Sequence, residues 1–333
     1  MSQKRIIKSE LTVKEIEFSI KDFKSLQIHF YTIGYPQEGE AILTIICDKQ
    51  EVLFTSLTDC YKNVSQNYNH INAILATYGN PSVDVFIWTH PDQDHSIGIP
   101  DVLEMYDPNH NALIYMPSAF DREDKFAICP DAACAFQYLH RNYNSGCKYN
   151  IIPVSLSDGE SRSLYKMKFV ETRSFRSIHC SFNFLAPFGA VEWRRSANHT
   201  KFVMNDLSIV YALRFNGMDF LFCGDLANQS VKFIKEDFLQ NVFFIKIPHH
   251  GSDEPKNFIS KLVENQVKNA ISTTTVYQNN LPVQRVLEEY KNLNHDVYCT
   301  GRGDSQFGCI KTTINIVKLI NSTSLTGNAF RLN

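Results

Sequence analysis

Trp88-Thr89-His90-Pro91-Asp92-Gln93-Asp94-His95-Ser96-Ile97 contains the pattern His-x-Asp-x-Asp-His. Four metal-binding side chains, His90, Asp92, Asp94 and His95, fall within six residues. The apolar run Val83, Val85, Phe86, Ile87 precedes them, so the spacing predicts a strand that ends at a metal site. No packing role calls for such a turn, because carboxylates crowded together repel one another unless a cation sits among them.

The same context recurs twice more. Phe220-Leu221-Phe222-Cys223 runs into Gly224-Asp225, and Phe243-Phe244-Ile245-Lys246-Ile247 runs into Pro248-His249-His250-Gly251-Ser252. In each case an apolar strand ends in ligand-type residues beside small or turn-forming ones, which let the backbone aim short side chains at one point. Strand ends on one edge of a sheet are where α/β folds carry their chemistry.

Around these motifs the chain alternates strand and helix patterns. Residues 27–34, 41–47 and 51–56 read as strands, and Ser208–Arg214 and Met218–Cys223 flank Asn216-Gly217, a strong hairpin signal. Residues 112–116, 167–170, 182–185, 242–247 and 297–300 also read as strands, and 307–316 as a terminal hairpin strand. Apolar spacing predicts helices over 61–78, 100–106, 131–143, 231–238 and 282–292, the first stopped by Gly79-Asn80-Pro81. An α/β fold follows, with an N-terminal extension over 1–26, one domain over 27–325 and an insertion around 107–165.

The 333 residues are 44% hydrophobic and 20% charged, which predicts an ordinary folded chain rather than a disordered one. A net charge of -2 excludes a protein basic overall, so nucleic-acid binding would need a local basic face. One such stretch is 173–201, where Arg173, Arg176, Arg194, Arg195 and Lys201 interleave with Phe175 and Trp193. It suits a single strand, with charges tracking phosphates and rings stacking bases, or equally a solvated charged surface. No apolar run approaches about 18 residues, so no transmembrane helix is expected. Lys8 and Glu10 interrupt what would be a signal peptide. Nine cysteines, with no Cys-x-x-Cys, point to reduced thiols and a cytoplasmic protein. His29, alternating within a strand, reads as a packing histidine.

The three strand-end motifs, in this order, resemble the metallo-β-lactamase fold superfamily. Its common first motif is His-x-His-x-Asp-His; the aspartate at 92, together with Pro248-His249-His250-Gly251-Ser252, is similar to the metallo-hydrolase domain of the bacterial DNA-uptake competence protein ComEC and its stand-alone relatives. Phe30-Tyr31-Thr32-Ile33-Gly34 with Gly39-Glu40-Ala41-Ile42-Leu43 resembles that branch's opening Val-Gly-Gln-Gly-Asp-Ala-Ile-Leu hairpin. Asn205-Asp206-Leu207-Ser208-Ile209-Val210 resembles its Asn-Asp-Asn-Ser-Leu-Val, and Val297-Tyr298-Cys299-Thr300 its Val-Tyr-x-Thr strand. The chain departs from the branch at Asn280-Leu281-Pro282, where Gly-His-Pro is usual. Asp59 is the nearest counterpart of the branch's early aspartate.

The resemblance implies a four-layer αββα sandwich and a hydrolase acting on ester bonds through two divalent metal ions, Zn2+ or Mn2+ with Mg2+ as a further option. His90 and Asp92 would hold one ion, Asp94, His95 and His249 the other, and Asp225 would bridge them. Water activated by the ions would be the nucleophile. Asp92 in place of histidine makes the first position harder, favouring manganese or magnesium over zinc. Which of His249 and His250 ligates is open; His249 is favoured, leaving His250 as a proton donor or a supporting partner. The catalytic set is then Asp94, Asp225 and His250, with Ser252, Asn205, Ser208, Arg194 and Arg195 as substrate contacts. His199 is the best-placed third ligand for the first ion, with Asn205 and Asp206 as alternatives. The implied activity is a phosphodiesterase, a nuclease on DNA, acting alone or beside partner subunits of a multi-protein, defence-type system. A hydrolase of small phosphoesters or cyclic nucleotides and a non-catalytic subunit are the alternatives.

Overall fold

The computed structural model describes residues 4–9, 14–35, 39–60, 62–118, 129–144, 149–191, 204–278, 281–302 and 307–332. A hairpin of β1 (Lys4–Ser9) and β2 (Lys14–Ile20) comes first, then an antiparallel meander of β3 (Leu26–Tyr35), β4 (Gly39–Asp48) and β5 (Glu51–Thr58). Helix α1 (His70–Ala76), β6 (Val85–Ile87), α2 (Gln93–Ser96), α3 (Ile99–Tyr106), β7 (Leu113–Pro117), α4 (Pro130–Asn144) and β8 (Asn150–Val154) follow. Then come β9 (Arg162–Glu171), β10 (Ser177–Ala186), β11 (Val210–Phe215) and β12 (Met218–Phe222), each antiparallel to the next. Helix α5 (Asn228–Val231), β13 (Val242–Lys246), α6 (Lys256–Glu264), β14 (Ile271–Thr274), α7 (Gln284–Asn292) and β15 (Asp296–Cys299) alternate next. Strands β16 (Gly308–Asn315), β17 (Asn321–Gly327) and β18 (Phe330–Arg331) end the described chain.

The strands form two sheets, one of ten in the order β1-β2-β9-β10-β11-β12-β13-β14-β15-β18 and one of eight in the order β17-β16-β3-β4-β5-β6-β7-β8. Each has a parallel section, β12 to β15 in the first and β5 to β8 in the second. Strands β6, β7 and β12 are buried at every position, as expected of strands covered on both faces. β2 alternates instead, sending Ile16, Phe18 and Ile20 inward, and so seals the N-terminal hairpin to β9. Residues 113–117 and 150–154 add two strands to the eight-stranded sheet, with α4 between them.

Phe30 marks the contact between the sheets, its ring centroid 5.0, 5.4 and 4.8 Å from those of Phe220, Phe222 and Phe244. On the outer face of the eight-stranded sheet, Ile71, Leu75, Val102, Leu103 and Phe136 of α1, α3 and α4 pack on Leu43, Ile45, Phe86 and Ile114. Phe258 and Leu262 of α6 and Val286, Leu287 and Tyr290 of α7 pack with the ten-stranded sheet. Helix, sheet, sheet, helix: this is the αββα sandwich. No helix among the described residues is long and apolar enough to cross a membrane.

Two expected helices are shorter than predicted. Of the described residues in the expected helix 61–78, only His70–Ala76 is helical. Asn63 and Tyr68 close a turn through paired backbone bonds of 2.7 and 3.1 Å, and Asn63 Oδ1 accepts from Gln66 N at 2.9 Å. Asn69 then caps the helix through Oδ1, which accepts from Ile71 N at 2.8 Å. Asparagine side chains compete for backbone groups and win here over apolar spacing, leaving Val64 61% exposed. Residues 231–238 form turns and a short 3-10 segment, Glu236–Phe238, after α5. The Asn216-Gly217 hairpin is as expected: Phe215 faces Met218, and the turn residues have φ of 51° and 80°.

Candidate metal centre

The three motifs lie at the C-terminal ends of neighbouring parallel strands, β6 in one sheet and β12 and β13 in the other. After β6 the chain turns sharply. Ser96 Oγ donates to Asp92 O at 2.6 Å and accepts from Trp88 Nε1 at 3.2 Å, which folds α2 back over the strand end. This puts Asp94 and His95 inside, both buried, and leaves the Asp92 side chain 44% exposed. Gly224 has φ +46°, and a Cβ there would lie 2.4 Å from Ser208 Oγ, so only glycine lets the Asp225 turn pass.

Asp94, His95, Asp225 and His250 form a buried group whose ligand atoms lie within 4.8 Å of one another. His250 Nε2 is 2.9 Å from Asp94 Oδ2, and His95 Nε2 is 3.3 Å from Asp94 Oδ2 and 3.4 Å from Asp225 Oδ1. Across Asp225, His90 Nε2 lies 3.8 Å and His249 Nε2 3.7 Å from its Oδ2, and His90 Nε2 lies 3.5 Å from Asp92 Oδ2. Ligands held tetrahedrally at about 2.1 Å from an ion stand about 3.4 Å apart. Both sides of Asp225 match that spacing.

Three buried atoms here, His90 Nε2, His95 Nε2 and Asp225 Oδ1, have no hydrogen-bond partner among the described residues. A buried orphan is costly, and two imidazole nitrogens without partners beside an orphaned carboxylate oxygen fit a cation. The outer nitrogens, in contrast, are all engaged. Asp59 Oδ2 lies 2.7 Å from His95 Nδ1, and Asp59 also accepts from Thr89 N and Thr89 Oγ1, each at 2.7 Å. Thr89 Oγ1 is 3.0 Å from His90 Nδ1, so one aspartate orients both rings. His250 Nδ1 is 2.7 Å from Thr275 Oγ1, and His249 Nδ1 is 3.2 Å from Glu254 Oε2. Such outer partners fix the ring and the tautomer of a metal-ligating histidine.

The electrostatics agree. Burial alone would lower the His250 imidazole, but the Glu40 and Asp225 charges and the hydrogen bond to Asp94 outweigh it and raise it to about 9. His95 is likewise raised well above its usual value, burial being overcome by Asp94, Asp225 and Asp59. Burial would raise Asp94 and Asp225; the imidazoles beside them hold both well below the usual carboxylate range. In the metal-free chain, protons on the imidazoles supply the positive charge that the carboxylates demand.

The sequence placed His249 beside Asp94 and His95. In the structure His250 stands there, 2.9 Å from Asp94 Oδ2, and His249 is the more exposed of the two, its Nε2 3.7 Å from Asp225 Oδ2. Both residues have left-handed backbone, φ 48° and 50°, and both rings reach Asp225, with Nε2 of His249 3.7 Å and Nε2 of His250 3.9 Å from Oδ2. Ser208, buried, accepts from Asp225 N at 2.9 Å and so positions that residue. Asn205 Nδ2 lies 3.3 Å from His249 Nε2. Ser252 Oγ accepts from Glu254 N at 3.2 Å. Arg194, Arg195 and His199 lie outside the described residues.

Sequence reasoning gave no role to Glu40, Thr89, Lys246, Thr275 and Tyr277, whose ring stacks on His250 at 4.7 Å. Lys246 carried a usable signal, as the one charge inside an apolar strand.

No protein-family model matches the chain, and no curated protein matches it. Among solved structures, the metallo-β-lactamase fold protein YhfI from Bacillus subtilis is similar, with 12% identity, a TM-score of 0.44 and coverage of 83% of this chain and 97% of that one. Zn2+-bound PqqB from Methylobacterium extorquens is similar with 10% identity, a TM-score of 0.43 and coverage of 81% and 97%. Similarity at this level assigns neither a family nor an activity.

Proposed function

We propose that the chain is a metal-dependent phosphodiesterase that hydrolyses DNA, with two divalent cations held on either side of Asp225. One observation carries it: orphaned, buried ligand atoms of His90, His95 and Asp225, from two strand ends, lie with Asp94 and with His250 of the third at about the spacing of metal ligands. Asp94, His95, His250 and Asp225 would hold one cation; His90, Asp92, His249 and Asp225 the other. When bound, such cations supply Lewis acidity and lower the pKa of coordinated water to near neutrality.

The chain's own groups divide the remaining work. Asp59, through His95 and Thr89, holds the floor of the site rigid. Asp92 and His249, with side chains 44% and 22% exposed, mark the open side from which a phosphodiester can approach. Asp94, Asp225, His95 and His250 are buried and exclude bulk water from the inner side. DNA as the substrate is supported by the resemblance of His90-x-Asp92-x-Asp94-His95 and Pro248-His249-His250-Gly251-Ser252 to the DNA-uptake branch. Each position would offer two imidazoles and two carboxylates, a mixed donor set that suits Zn2+ or Mn2+.

The test is incubation of purified protein with labelled single- and double-stranded DNA, adding Zn2+, Mn2+ or Mg2+ in turn. Cleavage should need metal and fall at least a hundredfold in Asp94→Ala and Asp225→Ala, on the order expected for losing transition-state electrostatics. No cleavage with any metal, or equal cleavage by Asp94→Ala, refutes the nuclease. Turnover of small diesters with polymers left intact moves the activity to small phosphoesters.

A further inference from the structure

Beneath the centre lies a charged pair that the proposed chemistry does not use. Lys246, the last residue of β13, and Glu40, the second of β4, are 1% and 2% exposed, with Nζ and Oε2 2.9 Å apart. A pair this deep loses hydration on both partners and is weak evidence for stability; apolar residues of equal volume commonly serve as well. Its surroundings suggest what it is for.

Glu40 Oε2 also accepts the Thr275 hydroxyl, and His250 Nδ1 lies 2.7 Å from Thr275 Oγ1 and 3.2 Å from Glu40 Oε2 itself. An ionised carboxylate only accepts, so the single Thr275 proton is committed to Glu40. Thr275 Oγ1 is then left as an acceptor, and His250 Nδ1 must donate to it. That leaves Nε2, hydrogen-bonded to Asp94 Oδ2 at 2.9 Å without metal, as the nitrogen a cation can take once its proton is displaced. Lys246 keeps Glu40 in its accepting form and is itself tied down, donating to Ile247 O at 3.1 Å. Next to Glu40, Gly39 packs so closely on the ligand loop that a Cβ would lie 2.2 Å from Asp94 O. The unit therefore joins the two sheets and the ligand loop at one imidazole.

We propose that Glu40 and Lys246 are positioning residues: through Thr275 they hold His250 as the Nδ1–H tautomer, oriented so that Nε2 ligates the cation shared with Asp94, His95 and Asp225. This rests on the metal reading of the site. Their contribution to the metal site is to affinity at the inner position.

The experiment is Zn2+ binding by chelator competition, for the wild type, the paired variant E40Q/K246M and T275V, with melting temperatures of the metal-free proteins. The paired variant strands no charge, and T275V leaves the ion pair intact, so at least one keeps the fold. Each variant that folds without metal should bind the first Zn2+ about 10- to 100-fold more weakly than the wild type, the range for outer partners of a ligand. Nitrogen-detected NMR of the Zn2+-loaded wild type should show the His250 proton on Nδ1. Wild-type affinity in the folded variants, or a proton on Nε2, overturns the proposal while the metal site stands. A wild type that binds no Zn2+ overturns both.

Discussion

In the metal-free protein, raising the pH from 6.5 to 9 should remove stability, because the carboxylates around His250 hold a proton on it in the fold. Its folded value, about 9, lies above the ordinary 6.5, so the contribution is fully present below 6.5 and is lost as pH rises through about 9. At 1.36 kcal/mol per tenfold change in proton affinity, that rise corresponds to about 3 kcal/mol. His95, also raised, acts in the same direction. Asp94 and Asp225 do not oppose it: their values are depressed, so their contribution is lost only as pH falls in the acid range. Urea unfolding in EDTA should therefore show a midpoint lower by roughly 1 M at pH 9 than at pH 6.5, taking an m-value near 3 kcal/mol/M. A His250→Asn variant should show much less of this loss. With Zn2+ present the trend reverses, because a cation must displace those protons and binds more tightly as pH rises. A metal-free wild type that is equally stable, or more stable, at pH 9 would refute the reasoning.

Phe30→Ala, which empties the contact among Phe220, Phe222 and Phe244, should cost about 3–5 kcal/mol in urea unfolding, and a loss under about 1 kcal/mol would contradict the packing described. Gly39→Ala should lower the metal retained after dialysis, measured by elemental analysis, since the new methyl group meets Asp94 O; unchanged metal content would contradict that contact. Gly217→Ala and Gly224→Ala should separate backbone strain from crowding. Gly217 has open space around it and should cost about 1 kcal/mol, whereas Gly224 meets Ser208 Oγ and should cost clearly more; equal losses in thermal unfolding would refute the distinction.

The α/β class, most strands and the Asn216-Gly217 turn were legible because apolar runs and turn chemistry are local properties. The three ligand-bearing strand ends were legible for the same reason: each places polar metal-binding groups where packing has no use for them. What escaped depended on partners distant in sequence. Asp59 gains its meaning from Thr89 and His95, 30 and 36 residues away, and Glu40 from Thr275, 235 residues away. The placing of His249 and His250 turned on two left-handed residues in succession, which no propensity favours outside glycine and asparagine. The shortened helix at 70–76 was hidden by Asn63 and Asn69, whose backbone bonds outweighed a regular apolar spacing. Arg194, Arg195 and His199 lie outside the described residues.

The 235 residues between Glu40 and Thr275 also govern when the centre can exist. A ribosome adding about 5–20 residues per second needs about 12–47 s to make the intervening chain. For the last 180 of those residues, from His95 to Thr275, the His90 loop is already synthesised, with its carboxylates crowded together and its histidines lacking their partners from the second sheet. If the centre binds metal as proposed, its loading would be a late event of biosynthesis, because His249 and His250 are made long after the His90 loop. Cells starved of metal should then accumulate a folded but empty protein, open to loading afterwards, instead of a nascent chain stalled on its way to the fold.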